Sequence, residues 1–390
     1  MKLKQKKQLL EQLKTIPDFR VDKYKIRYPL EQILFMTLFA LLKGANTFKE
    51  IHIWMEYAKK NNKILKKVFA TKKIDIPSKS TLHRILINVD NNALEIIFRD
   101  HFAKYIKKKN IAIDGKWLNG SDVNAQYTTQ SHQAILNVLD KDTKIVFAHK
   151  FLDHTKKSEI PAFTELLKDK FFTSESQIFS FDALLTQYEI LNTINEQKNL
   201  YIAKVKGNQK LLKEKTILTA NNFHSPTDSC KDSHLDKRER DTRVTRTVDV
   251  FQNRDCDIVM YHSDFKNIQS IIKVTKESTN IKTGEVKTTI QYLIANYKAS
   301  AWEFREKILQ HWKIETYHYH LDMLMDEDDH IAYVNPFSIS ILRSFALNLY
   351  QLFFNKYKDE KILFGNKPTM ANIAHACKYD DELVSDLFEL

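Results

Sequence analysis

The sequence predicts an α/β core, a mixed sheet with flanking helices, interrupted by a β-rich insertion and preceded by an all-helical N-terminal domain. Three observations predict it. Residues 5–105 carry helical periodicity punctuated by capping and turn chemistry. From Ile111 the period changes, and short strand-like runs alternate with helical ones. Between Val244 and Ile294 strand-like runs follow one another, and a strongly helical pattern resumes at Ala301. At 390 residues the chain exceeds what one hydrophobic core usually organises, so more than one domain is expected. The expected divisions are 1–105 for the helical domain, 106–210 for the first part of the core, 211–300 for the insertion, and 301–390 for the last core helix with a helical tail.

Within the first segment, Tyr28-Pro-Leu30 opens a helix running to about Lys43, and Gly44-Ala-Asn46 ends it. Thr47 and Glu50 have capping-box spacing, ahead of Ile51, Trp54, Met55 and Ala58 at helical intervals. A further helix begins near Ile76-Pro-Ser-Lys-Ser80, with Leu82, Ile85, Leu86 and Val89 as its apolar side and His83 and Arg84 facing outward. A DNA-reading helix and a purely structural one both fit, because the gap back to Trp54 is far longer than the turn of a compact helix-turn-helix. Ser80, His83 and Arg84 are the candidate contacts there.

From residue 111, Ile111–Asp114, Gln133–Leu139 and Ile145–Leu152 read as strands, the last two joined by the turn Asp140-Lys-Asp-Thr143. A helix follows, with Ser158 as candidate cap, Pro161 in its first turn and Phe163, Leu166 and Leu167 buried. Then come a strand, Ile178–Asp182, a helix from about Leu185 to Gln197 and a strand, Leu200–Val205. The order β-β-β-α-β-α-β is that of ribonuclease-H-like domains, in which the first and fourth strands are neighbours, so Asp114 and Asp182 are expected side by side. Asn222–Asp241 is polar; Val244–Phe251, Asp257–Tyr261, Ile271–Val274 and Thr288–Ile294 look like the strands of an insertion, with a turn at Thr283-Gly284.

The last core helix, Ala301 to about Met325, is the strongest helical pattern in the chain. Trp302, Ile308, Leu309, Trp312, Tyr319 and Met323 fall on one side of Glu315 and predict a broad apolar face. His311, His318 and Asp322 share the stripe of Glu315. Alone, Glu315 reads most simply as a glutamate paired in an ordinary helix interface. Together, strand-terminal Asp114 and Asp182 with a distal helical Glu315 make a set of oxygen ligands suited to two Mg2+ ions, for which Mn2+ can substitute. Phosphodiester cleavage is the commonest use of such a pair. Glu315-x-x-His318 also has di-iron spacing, but no second such motif occurs, and no P-loop or Gly-x-Ser-x-Gly element is present.

Lys and Arg number 61 against 49 acidic residues, a net +12, and residues 1–30 hold nine basic and three acidic side chains. A polyanionic partner and a solvated basic face account for this equally well. Cys230, Cys256 and Cys377 are widely spaced, without a Cys-x-x-Cys pair, so a reducing cytoplasm is expected rather than a disulfide or zinc framework. Met1–Lys7 precedes no apolar leader segment. The richest apolar run, Ile33 to Leu42, is ten residues of core helix, too short to span a bilayer, so no membrane partner is expected.

Beyond these readings, a set of motifs recurs in order. It comprises Ile16-Pro-Asp-Phe-Arg20, Tyr28-Pro-Leu30, Ile76-Pro-Ser-x-Ser-Thr-x-x-Arg84, Ile113-Asp-Gly-Lys116 with Gly120-Ser121, Lys157-Ser-Glu-Ile160, Asp182-Ala183 with Gln187, Lys206-Gly-Asn-Gln209, His311-Trp-x-Ile-Glu315, Leu321-Asp322, Glu327-Asp328, and Arg343-x-x-Ala-Leu-Asn348. By these the chain resembles the DDE-type transposases of bacterial insertion sequences, in the subgroup that includes the H-repeat-associated proteins. The resemblance implies metal-dependent DNA cleavage and strand transfer, with Asp114, Asp182 and Glu315 as the metal ligands. It also implies double-stranded DNA, as inverted-repeat ends and target, for a partner, and a homodimer in the DNA complex. The alternatives are a catalytically inactive DNA-binding derivative and a metal-dependent nuclease without strand transfer.

Two departures stand out. Related transposases carry Tyr-x2-Arg-x3-Glu-x6-Lys around the glutamate, where this chain has Ile308, His311 and Asp322, which puts His311 in an arginine's place near the phosphate. The subgroup's His-Gly-Arg-x-Glu-x-Arg stretch is not intact; the nearest segment runs from Arg240 through Arg243 to Arg246. Lys116 is either a phosphate contact or a surface lysine. Lys204, Lys206, Asn208 and Gln209 suit DNA-backbone contacts and equally a solvated loop. His132 reads as structural, and Asp326–Asp329 as a solvated acidic run.

Overall fold

The computed structural model describes residues 4–390 apart from 22–23, 25, 119–132, 153–158, 170–171, 173–175, 223–224, 237–240, 253, 262–264, 330–334 and 364. In chain order, six helices come first: α1 (Lys4–Leu13), α2 (Leu30–Leu42), α3 (Phe48–Asn61), α4 (Lys63–Val68), α5 (Lys79–Ile87) and α6 (Asn91–Phe102). Then follow β1 (Asn110–Trp117), β2 (Ala134–Asp140), β3 (Ile145–Leu152), α7 (Glu159–Lys168), β4 (Ile178–Phe181), α8 (Tyr188–Glu196) and β5 (Leu200–Val205). Next are α9 (Lys210–Asn222), β6 (Asp228–Leu235), β7 (Thr242–Gln252), α10 (Arg254–Tyr261), β8 (Ser270–Asn280) and β9 (Val286–Ala295). The chain closes with α11 (Ala301–His311), α12 (Lys313–Met325), α13 (Phe337–Tyr357), α14 (Met370–Tyr379) and α15 (Asp381–Leu387). The strands form one mixed sheet in the order β3-β2-β1-β4-β5-β9-β8-β7-β6. The expected neighbours are neighbours: β1 pairs with β4 in parallel, as does β4 with β5, whereas β5–β9, β9–β8, β8–β7 and β7–β6 are antiparallel.

The chain divides into two compact units, Met1–Lys107 with Gly115–Lys156 and Glu315–Leu390, and Lys108–Asp114 with Lys157–Ile314. The first unit is built on α13, whose residues Ser338 to Phe353 are all buried. This helix is long and apolar enough to cross a membrane by length and composition, yet 89% of that stretch is packed inside the protein. Its polar residues are anchors. Arg343 Nη2 donates to Asn46 O at 2.9 Å, Tyr350 Oη to Leu42 O at 2.8 Å, and Asn348 Nδ2 to Val146 O at 2.6 Å. The N-terminal helices therefore share one core with the C-terminal helix, and Lys6–Glu389, at 2.8 Å, ties the two ends of the chain. Local signals set the helix boundaries: the Thr47–Glu50 capping box starts α3, and Gly44, at φ +79°, takes the left-handed turn after α2. Ser78 caps α5 through the Thr81 N–H.

The second unit carries the seven strands from β1 onward in the sheet order, with α11 packed on the face made by Val248, Val250, Ile272, Val274 and Leu293. Arg305 of α11 donates from Nε to Asp232 Oδ1 of β6 at 2.8 Å and clamps the helix to the sheet edge. Several expectations are corrected here. Asp257–Tyr261 is not a strand but most of α10: a four-residue apolar run does not separate helix from strand, and Asp255 and Asp257 favour a helix N-terminus. The polar stretch after Asn222 contains an edge strand, β6, and the segment after Gln209 is the helix α9. The single helix expected over 301–325 is two, α11 and α12, divided at Trp312. Its expected apolar face is also wrong: Trp302, Trp312, Tyr319 and Met323 are exposed, while Ala301, Phe304, Ile314, Tyr317, Leu321 and Met325 are buried.

Candidate active site and nucleic-acid contacts

Parallel neighbours emerge from a sheet at the same edge, and the carboxyl ends of β1, β4 and β5 therefore come together. The register ends on Ile113 paired with Phe181; Asp114 follows along β1, which runs on to Trp117 rather than ending at the aspartate as expected, and Asp182 is the first residue beyond β4. Both are half-buried. Burial alone would raise the Asp182 carboxyl. The Ala183 backbone N–H, then Lys206 and Lys204, outweigh that and hold it below the usual aspartate range. Lys206 Nζ stands 3.0 Å from Oδ2 and Lys204 Nζ 3.8 Å from Oδ1.

The segment after β5 closes over the segment after β4. Asn208 Nδ2 donates to Ala183 O at 2.7 Å, and Gln209 Nε2 donates to Thr186 O at 3.0 Å and to Gln187 Oε1 at 2.9 Å. Thr186 Oγ1 returns a bond to Lys204 O at 2.7 Å. The solvated-loop reading of Lys204, Lys206, Asn208 and Gln209 thus gives way to a set of side chains addressed to one turn. The sequence signal was their position: they follow the strand that lies beside the one leading into Asp182.

His311 ends α11 against β4, its Nδ1 3.0 Å from Ser180 Oγ. Ser180 Oγ also donates to Ile111 O at 3.3 Å, so a consistent arrangement has His311 donating to the hydroxyl and the hydroxyl passing its own proton to β1. The end of α11 is fixed two residues from Asp182, and Glu315 follows four residues later, exposed, in the first turn of α12. Asp114 and Asp182 belong to the second unit, and Glu315 begins the last segment of the first. The donors are oxygens of the kind a hard divalent cation takes, and the Asp114–Asp182 pair fits that use. Among the described residues no group of three His, Cys, Asp or Glu side chains stands close enough to hold a metal ion.

In the first unit, Lys116 is not a surface lysine. Its Nζ lies 2.6 Å from Asp322 Oδ1 and 3.0 Å from Asp328 Oδ1, and its side chain is 6% exposed. Burial would lower its pKa, but Glu327, Asp322 and Asp328 outweigh that and raise it. The run expected to be a solvated acidic face is in part core: Glu327 is 0% exposed and accepts from Ser340 Oγ at 2.7 Å. His318 packs with Asn137, Nδ2 to Nε2 3.0 Å, and burial followed by the Lys116 charge pushes it down to about 3. It is a neutral, structural histidine. On α5, Ser80 and Arg84 are exposed and His83 meets the Phe48 ring edge-on at 4.8 Å. Gly120, Ser121, His132, Lys157, Ser158 and Arg240 lie outside the described residues.

Comparison with known proteins agrees with the motifs. Residues 10–102 match the family described as DDE_Tnp_1-associated. The chain is 28% identical over 398 residues to "Putative transposase YncI" of Escherichia coli O157:H7, covering 98% of this chain and 95% of that one. It is 25% identical over 337 residues to "H repeat-associated putative transposase YhhI" of Escherichia coli K12, covering 83% and 84%. Among solved structures it is similar to a piggyBac transposase synaptic complex with hairpin DNA, at TM-score 0.48 and 9% identity over 99% of this chain and 77% of that one. Over most of its length the chain is thus a homologue of proteins that bear the transposase name, the H-repeat-associated ones among them, and its N-terminal helices hold a DDE transposase-associated domain.

Proposed function

We propose that the chain is a cytoplasmic DDE transposase with a ribonuclease-H-like core, cutting double-stranded DNA at the ends of an insertion sequence and joining the cut end to a target. The observation that carries this reading is the parallel register of β1 with β4, in which Ile113 pairs with Phe181 immediately before Asp114 and Asp182, with α11 docked on Ser180 just ahead of Glu315. Asp114, Asp182 and Glu315 would hold Mg2+ or Mn2+, which when bound supplies Lewis acidity to an attacking water or 3′-hydroxyl and to the leaving oxygen. Asp182 is ionised well below neutral pH and so is ready as a ligand. Once its carboxylate is given over to a cation, Lys204 and Lys206 are free to meet phosphate.

A DNA partner is supported by the net charge of +12 and by surface tryptophans set beside arginines. Arg305, itself held by Asp232, lies 4.7 Å over the exposed Trp302 ring and Arg246 5.7 Å over the exposed Trp312 ring, which leaves an outer ring face of the kind on which bases stack. The test is cleavage and strand transfer on DNA carrying the element's terminal repeats, with Asp114→Asn, Asp182→Asn and Glu315→Gln. Each should abolish both reactions and leave DNA binding intact. Cleavage without joining would favour the nuclease reading, and full activity of any one variant would remove that residue from the ligand set.

A further inference from the structure

We infer that Asn208 and Gln209 are positioning residues for Asp182 rather than DNA contacts. The inference rests on Asp182 being a metal ligand. Asp182 is the first residue beyond β4 and Lys206 the first beyond β5, and because these strands are parallel neighbours the two exits lie at one edge. The turn leaving β4 is a single 3-10 turn in which Leu185 N–H bonds Asp182 O and Thr186 N–H bonds Ala183 O, and the amides of Asn208 and Gln209 tie it to the segment after β5 by donating to Ala183 O and Thr186 O. A Gln amide has two N–H groups. Those of Gln209 are both spent, on Thr186 O and Gln187 Oε1, so it has no donor left for a phosphate oxygen while this turn is intact. Asn208 acts one step from the carboxylate: it holds the carbonyl of Ala183, and the N–H of Ala183 is the group that bonds Asp182. Fixing that residue fixes the direction in which the carboxylate points, as the outer partners of metal ligands do.

The experiment uses the full chain, Mn2+ alone as the probe, and paramagnetic resonance of the unbound ion, at a temperature where every variant is folded. Asp182→Asn first tests the ligand assignment. Gln209→Met and Asn208→Ala, each neutral and made separately, should weaken Mn2+ binding about tenfold relative to wild type. Metal-free DNA affinity and its salt dependence should stay unchanged, while amide exchange across Ala183–Gln187 should quicken. Wild-type Mn2+ affinity in both variants, with Asp182→Asn impaired, overturns the positioning role and leaves the proposed function standing. Wild-type Mn2+ affinity in Asp182→Asn overturns both. Weaker metal-free DNA binding in Gln209→Met with an unchanged salt slope, as expected for loss of an uncharged contact, would return that residue to the DNA interface.

Discussion

Replacing Lys116 by Met decides what the lysine two residues after the first candidate ligand does, since Met keeps the apolar stem and removes only the ammonium. The lysine side chain is 6% exposed, and its ammonium serves two carboxylates whose side chains are 33% exposed. Removing one partner of a buried ion pair costs about 3–5 kcal/mol, and charged hydrogen bonds contribute about 1.5–3 kcal/mol each. Water reaches Asp322 and Asp328 from one side, so the lower part of that range applies, ~2–3 kcal/mol at pH 7. For a unit of this size that is a fall of ~4–12 °C in its melting transition.

The pH dependence has a definite sign. The folded pKa of Lys116 is raised, so its contribution is complete below 10.5 and is lost only as pH rises through the folded value. Burial already raises Asp322, and loss of Lys116 raises it further, so the variant takes up protons as pH falls through the carboxylate range and its deficit narrows in acid. Calorimetry at pH 7 and pH 4.5, with Asp322→Asn to complete a double-mutant cycle, measures both effects. If Lys116 were instead a phosphate contact, Lys116→Met would melt normally and lower the salt slope of DNA binding by about 1. That pair of results would refute the reasoning.

Four further outcomes are expected. Any double variant among Asp114→Asn, Asp182→Asn and Glu315→Gln should be no less active than the singles, because ligands of one metal centre act as a unit; multiplicative losses in single-turnover rates would contradict this. Ser80 and Arg84 are exposed on α5, so Arg84→Ala should change stability by no more than ~0.5 kcal/mol while lowering affinity for the element's ends, and an unchanged footprint would move the reading of DNA elsewhere. Asp232→Asn should cost ~1.5–3 kcal/mol. The hydrogen bond from Arg305 holds the Asp232 carboxyl below 3.8, so its contribution is present above that pH and vanishes as pH drops through the folded value, and melting curves of wild type and variant should converge in acid. If His311 acts through Ser180, then Ser180→Ala, His311→Ala and the double variant should lose the same cleavage activity; a loss of about ten- to a hundredfold confined to His311→Ala would make it a phosphate clamp.

What was legible in the sequence was whatever is fixed within a few residues. The capping box at Thr47, the β2–β3 hairpin, β5 and the apolar side of α5 follow from local period and turn chemistry. The neighbourhood of β1 and β4 was legible for another reason: the order of elements limits how a mixed sheet can be wound. The misses share a cause. β6 is an edge strand in which only Cys230 and Asp232 are half-buried, so its pattern carries almost no hydrophobic signal. In α12 the buried stripe, Ile314, Tyr317, Leu321 and Met325, has helical spacing but was outweighed by the aromatics on the opposite flank of Glu315, and periodicity names stripes without saying which one finds a partner.

The motif residues divide in a way that periodicity could not anticipate. Arg343 and Asn348 sit inside α13 and bond backbone groups at Asn46 and Val146; Lys116 joins β1 to the acids at the end of α12; Asn208 and Gln209 brace the turn that carries Asp182. Each joins separate elements, with Lys116 and Asp328 separated by 212 residues, and the buried ones, Arg343, Asn348 and Lys116, are polar side chains whose desolvation is tolerable only because their partners are in place. A polar residue at such a junction resists substitution as strongly as a ligand does, since either partner alone is a buried, unsatisfied group. Shared motifs in a chain of this kind therefore mark the braces of the site as much as the chemistry, and hydrogen-bond capacity separates the two: Gln209, with both donors spent, is a brace, whereas Lys206, exposed and bonded to a carboxylate that a cation could claim, is the side chain proposed to meet DNA.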